Sequence, residues 1–351
     1  MQTEVLIIGQ GICGSLLSWF LEQRGVSYLV ADDARPQTAS RIATGIINPV
    51  SGRMFEKAWM IDEVMPYAHE LYTTIGNQLG TSLIAQKDLL DFFPSPQMRL
   101  SFTEQADAGR DFLAYPDDEY DFDAFINHSF GYGIIRPCYA VQMGTLVASW
   151  RKHLLSNHKL IEKKIEINGK DILASVSEQY DITAKKIIFC DGAEAATGSL
   201  FGLLPFAVNK GESLLVRIPG FPENHIFKKT YSLVPLGNEL FRWGASYIWK
   251  TNDPLPTTAF REQAENQLRH FIKLPFTVED HQAAFRPATV ERRPFAGFHP
   301  LVAEAGILNG MGSKGASLAP WFTRQMANMI CDGVPVQPEA NTERFRKILS
   351  R

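Results

Sequence analysis

The chain has 351 residues, 45% of them hydrophobic and 21% charged, with a formal net charge of −3 at pH 7. This is globular composition, long enough for one large domain or two interleaved ones, and its slightly acidic balance favours neither a nucleic acid nor an anionic membrane as partner. No apolar run approaches the ~18 residues of a membrane span, and MQTEVLIIG lacks the basic n-region and cleavage site of a secretory signal.

In VLIIGQGICGSLLSWFLEQRG (5–25) an apolar strand runs directly into three glycines and an apolar helix pattern. Residues 4–8 predict a buried parallel strand, 12–24 a helix and 27–32 the next strand, a βαβ opening. A loop follows, then GIINPVSGR (45–53), a helix over 60–79, and short strands with turns over 83–136. The acidic stretch PDDEYDFDAF (116–125) reads as a solvated loop. GYGIIRPCYAVQMGTLVASW (131–150) gives a strand, a proline boundary and a helix. KLIEKKIEI (159–167) and DILASV (171–176) predict a hairpin turning at NGK, and KKIIFCDGA (185–193) a buried strand ending in Asp-Gly. Strands with turns fill 205–250, a helix 257–273, and a proline-broken strand 284–298. Residues 305–333 read as a strand, a Gly-rich turn and a helix stopped by Gly333. The fold class is α/β (α+β overall). A Rossmann-like domain over 1–60, 140–204 and 286–351 is expected to be interleaved with a mixed-sheet substrate domain over 61–139 and 205–285.

Gly9, Gly11 and Gly14 fit G-x-G-x-x-G, with Ile12 and Cys13 at the first helical positions. The first glycine permits the tight turn, the second lets a pyrophosphate reach the backbone, and the third lets helix and strand pack closely. The helix start then offers N–H groups and a positive dipole end to the phosphate. Asp32 ends the second strand close to the ~20-residue spacing expected of a ribose-binding carboxylate, with Asp33 the competing choice. An acid there indicates NAD or FAD rather than NADP. The four cysteines, Cys13, Cys138, Cys190 and Cys331, form no CxxC pair. They support neither a disulfide framework nor a zinc site, no metal is expected, and a reducing cytoplasm fits.

Five segments together resemble the FAD-dependent amino-acid oxidase superfamily, which includes D-amino-acid oxidase, glycine and sarcosine oxidases and the oxidase half of the tRNA 5-methylaminomethyl-uridine biosynthesis enzyme. They are the glycine motif with Asp32, the loop SRIATGIINP, the segment GYGIIRP, the strand AKKIIFCDGA, and FRPATVERRPFAG followed by GMGSKGASLAP. The first and fourth are shared by many FAD enzymes, while the last pair at its separation is specific. The resemblance implies that Ser40, Arg41, Thr44, Gly45 and Ile46 run along the flavin ring, with Gly192 at the adjoining strand end. It places Gly312, Ser313, Lys314 and Gly315 at the flavin pyrimidine edge, where backbone N–H groups and the Lys314 charge would stabilise the reduced ring. It assigns Arg286 to the substrate carboxylate, a task suited to a planar, permanently charged fork. Relatives pair that arginine with a tyrosine. Here Ser232 takes the position, Tyr231 faces the other way, and Tyr247 is the candidate substitute. No cysteine falls where relatives attach flavin, so non-covalent FAD is implied.

The implied chemistry is oxidation of a small amino acid or secondary amine by hydride transfer to flavin N5, with the imine then hydrolysed. The electron acceptor is O₂ or another, undetermined one. Two alternatives remain: a flavoenzyme acting on a modified tRNA nucleoside side chain, suggested by GIINP and GMGSKG but lacking a basic stripe for RNA, and a non-enzymatic FAD-binding protein. An NAD-linked dehydrogenase leaves the C-terminal Gly-rich turn without a role.

Overall fold

The computed structural model describes residues 1–116, 122–167, 171–198 and 200–350. The chain divides into two discontinuous units: 1–43, 143–209 and 285–351 in the first, 44–142 and 210–284 in the second.

In the first unit a six-stranded sheet runs in the order Leu160–Ile161, Tyr28–Ala31, Val5–Ile8, Lys186–Phe189, Ala305–Asn309, Phe295–Phe298. Its first five strands are parallel and Phe295–Phe298 is antiparallel to its neighbour. VLII is buried at all four positions, as a central parallel strand must be. Helix Ile12–Gln23 is buried over ten consecutive residues, so its sequence is apolar all round rather than striped. Leu6, Ile8, Leu29, Ile187, Ile307, Phe295 and Phe345 share one core cluster. Among the described residues no helix is long and apolar enough to cross a membrane.

One expected element is corrected here. DILASV does not form the second arm of a hairpin; it opens helix Ile172–Tyr180. Asp171 caps that helix by accepting the Ala174 N–H at 2.9 Å, and Ile172, Ser175 and Val176 are buried at helical spacing. The expected NGK turn (168–170) lies outside the described residues, as do residues 117–121 of the acidic stretch.

The second unit is built on an eight-stranded mixed sheet ordered Thr277–Arg286, Asn209–Arg217, Leu240–Gly244, Ser232–Gly237, Ile226–Lys228, Leu89–Phe92, Tyr132–Ile135, Leu113–Ala114. Helix Thr258–Phe271 covers one face, and Phe260, Leu268 and Phe271 pack with Leu214, Leu233, Phe227, Phe241 and Trp243. Trp243 is fully buried and donates its Nε1–H to the Ala264 carbonyl at 2.9 Å. On the opposite face Leu89, Ile226 and Val234 join Val50, Phe55 and Ala140 in a separate cluster. A further helix, Pro96–Asp107, lies within the segment expected to hold only short strands. Ser95 caps it, with Pro96 at the first turn, where a missing N–H costs nothing.

Candidate cofactor and substrate site

Strand Val5–Ile8 delivers the chain to Gly9, whose φ of +98° is open to glycine and strained for any side chain. A Cβ there would also stand 2.5 Å from the Cys190 carbonyl oxygen. A Cβ on Gly14 would lie 1.9 Å from the Gly9 carbonyl oxygen, so the helix reaches the strand only because position 14 has no side chain. Gly11 begins helix Ile12–Gln23 without a side-chain cap, and the first helical amide, Ile12 N–H, donates to Ser40 Oγ at 2.9 Å. Ile12 and Cys13 are buried, and burial pushes the Cys13 thiol up to about 12, making it packing rather than reactive chemistry.

Asp32 is held on several sides. One carboxylate oxygen accepts the Gln10 N–H at 2.9 Å; the other accepts the Ala34 N–H at 2.9 Å and Arg151 Nη1 at 2.8 Å. Arg151 also donates to Gln10 Oε1 at 3.2 Å and to Glu162 at 2.7 Å. Gln10 donates in turn to Ser15 Oγ and the Val147 carbonyl. Asp33 instead pairs with Arg35, which also binds Glu194. Arg151 and Gln10 were invisible in the sequence, because a lone helical arginine and a glutamine inside a glycine motif announce no role.

Strand Lys186–Phe189 ends at Asp191 and Gly192. Asn309 Nδ2 donates to the Asp191 carboxylate at 3.1 Å and to the Gly192 carbonyl at 2.9 Å. Burial dominates at Asp191 and pushes its carboxyl up to about 7.

The C-terminal Gly-rich turn follows strand Ala305–Asn309. Gly312 N–H donates to the Pro287 carbonyl at 3.1 Å, Ser313 is exposed, and helix Gly315–Asp332 begins without a side-chain cap. A Cβ on Gly315 would lie 3.9 Å from the Ile12 side chain, so the starts of the first and last long helices converge. Both positive helix ends thus belong to one region of the first unit. Lys314 stands there, its amine held below the ordinary lysine value by burial first and then by Arg292 and Arg293. Open glycine backbone at Gly192, where a Cβ would meet nothing within 4 Å, two helix starts whose N-cap residues provide no side-chain cap, and a fixed carboxylate at Asp32 suit a dinucleotide.

Arg286, at the end of strand Thr277–Arg286, donates from Nη1 to Asn209 Oδ1 at 2.9 Å. The loop from Ser40 is shared between the units: Ser40 and Arg41 lie in the short helix Ala39–Ile42 of the first, whereas Thr44, Gly45 and Ile46 belong to the second. There the Gly45 carbonyl accepts the Val141 N–H at 2.9 Å and Ile46 pairs with Ala140. Tyr247 follows strand Leu240–Gly244 and is 58% exposed. Tyr231 packs edge-on against Trp243 and beside Phe260, on the helix-covered face of its sheet.

Residues 4–329 match the model of a family described as FAD dependent oxidoreductase. The fold is similar to glycine oxidase from Geobacillus kaustophilus (TM-score 0.78, 16% identity, 96% of each chain covered). It is also similar to iminodiacetate oxidase from Chelativorans sp. BNC1 (TM-score 0.75, 19% identity, 97% of this chain and 98% of that one). L-proline dehydrogenase from P. horikoshii gives a TM-score of 0.77 at 16% identity, over 99% of this chain and 98% of that one.

Proposed function

Because the chain belongs to the FAD dependent oxidoreductase family, we propose that it oxidises a small amino acid or secondary amine to an imine, which water then hydrolyses to a carbonyl compound and the free amine. When bound, FAD supplies the two-electron acceptor for the hydride leaving the substrate α-carbon. Gly9, Gly11 and Gly14 hold its pyrophosphate against the first helix, and Asp32, kept in place by Arg151, receives the ribose hydroxyls. Gly312–Gly315 present N–H groups and the Lys314 charge to the ring edge that becomes negative on reduction. Cys13, Cys138 and Cys190 are buried thiols held above the usual cysteine value, which supports non-covalent attachment.

The observation that carries the substrate assignment is Arg286. Asn209 fixes one nitrogen of its fork, and a fixed guanidinium orients a carboxylate through two parallel hydrogen bonds. Orientation is what the protein must contribute: a neutral amine whose α-hydrogen is aimed at the acceptor needs no further acid or base. Tyr247 is the aromatic residue proposed to assist Arg286 in place of the tyrosine that Ser232 replaces. Solved structures of similar fold include oxidases of glycine and iminodiacetate and a dehydrogenase of L-proline, consistent with a small amine carrying a carboxylate.

The test is product chemistry. The holoprotein is incubated with glycine, sarcosine, proline and both enantiomers of small amino acids, with O₂ or an artificial quinone as acceptor, and the carbonyl product is trapped with a hydrazine. Carbonyl formed in proportion to acceptor consumed supports the assignment and identifies the acceptor. No carbonyl from any member of the panel refutes it.

A further inference from the structure

The face of the eight-stranded sheet opposite helix Thr258–Phe271 carries, beside its apolar cluster, a row of polar and small residues across five strands. Register places Asp91 beside Lys228, Lys228 beside Ser232, Ser232 beside Gly244, and Gly244 beside Ser213. Lys228 is neutralised, because Asp91 accepts from it at 2.6 Å. The side chains at the centre of the row are short: Ser232 and Ser213 are small and Gly244 has none, and Ser213 lies close enough that even a Cβ on Gly244 would meet it at 2.7 Å.

Arg242, the next residue of that face along its strand, leans into this row. It is 7% exposed, and it donates to neutral side-chain oxygens, Ser213 Oγ at 3.2 Å and Gln282 Oε1 at 2.6 Å. Both bonds leave from Nη1 and use its two hydrogens. Nε is buried without an acceptor, and among the described residues Arg242 forms no ion pair. Burial draws its guanidinium down to about 10, with Asp280 only partly opposing the effect. Arginines are rarely buried without a carboxylate, because the charge gives up its hydration for nothing. The edge left over, Nε with Nη2, is the edge with which arginine grips a carboxylate through two hydrogen bonds.

We infer that Arg242 is a substrate-binding residue, and that this face of the sheet takes an amino acid or amine bearing a second carboxylate, which docks on its Nε–Nη2 edge above Gly244. The inference rests on the reading of the chain as an amine oxidoreductase. Ser232 makes the room, since a tyrosine at that position would fill the space beside Gly244. Ser213 and Gln282 hold the guanidinium so that its free edge is fixed before the ligand arrives.

The experiment uses the holoenzyme with matched pairs: aspartate, glutamate and N-carboxymethylglycine against alanine, norvaline and sarcosine as reductants, and succinate and glutarate against propionate and butyrate as non-reacting ligands. Flavin reduction rates and ligand-induced changes of the flavin spectrum are read for the wild type, Arg242→Met and Arg242→Lys. The expected result is a preference for the second carboxylate on the order of a hundredfold in the wild type, collapsed in Arg242→Met and partly kept in Arg242→Lys, which keeps the charge but loses the paired donors. A wild type that does not prefer the dicarboxylates overturns the inference, even if the methionine variant fails to fold. So does a folded Arg242→Met that keeps the preference. Dicarboxylates that bind through Arg242 to an enzyme no amine reduces would sustain the subsite and overturn amine oxidation. Reduction by the monocarboxylates without the preference would do the reverse.

Discussion

Asp191 sits at the turn after strand Lys186–Phe189, and burial raises its carboxyl from 3.8 to about 7. The fold therefore binds this proton more tightly than the unfolded chain does. Its contribution to stability is complete below about pH 4 and is lost as pH rises to about 7. A rise of that size corresponds to about 4 kcal/mol, as an order of magnitude. Asp191→Asn keeps an acceptor for Asn309 and removes the titration. Its melting temperature relative to the wild type should rise between pH 5 and pH 7 in the apoprotein, and an unchanged difference would exclude the buried acid as the cause. Arg286→Lys keeps the charge but loses the fork. It should lower kcat/KM by about ten- to a hundredfold while leaving the flavin content of the purified protein unchanged, and steady-state kinetics beside the flavin-to-protein absorbance ratio separates the two effects.

At the level of elements, the first glycine turn lets helix and strand pack closely and is proposed to hold the flavin pyrophosphate, two roles that substitution should separate. On Gly14 a methyl group would meet backbone at 1.9 Å, whereas on Gly11 it would meet only the Ser40 hydroxyl at 3.0 Å. Gly14→Ala is expected to lower the melting temperature of the apoprotein as well as abolish flavin binding; Gly11→Ala should melt near the wild type and lose flavin. Arg151→Met leaves Asp32 on two backbone amides and should weaken FAD binding by about tenfold, measured as flavin fluorescence released on dilution. Much of this was legible in the sequence. VLIIGQGICG fixes strand, turn and helix because burial of VLII and the glycine spacing point the same way. Ser-Pro at 95–96 and Asp171 before Ile172 are helix-start signals, and the structure follows them: the Ser95 and Asp171 side chains each cap a helix, against the short strands and hairpin expected there. The partners of Asp32 were not legible, because Arg151 lies more than a hundred residues away and only the fold brings it to the turn. The same holds for Arg242, whose burial depends on a sheet assembled from distant strands.

Across the whole molecule, the chain crosses between its two units at 43–44, 142–143, 209–210 and 284–285. The first unit is thus completed only by residues from all parts of the sequence, and the family match over 4–329 covers every crossing. Beyond that match, the tail is part of the first unit. Ala296 N–H donates to the Ala340 carbonyl at 2.9 Å, Thr342 Oγ1 donates to the Phe298 carbonyl at 2.7 Å, and Phe345 packs edge-on against Phe295. Removing residues 336–351 should therefore destabilise the first unit by several kcal/mol, seen as a lower melting temperature and, if that unit holds FAD as proposed, loss of bound flavin. The central claim, an FAD-dependent oxidation of a carboxylate-bearing amine, is tested most directly by the visible spectrum of the holoprotein under anaerobic titration with amino acids and secondary amines. Bleaching of the flavin band near ~450 nm by at least one of them, lost or slowed in Arg286→Lys, is the predicted result. A flavin band that none of them bleaches would contradict it.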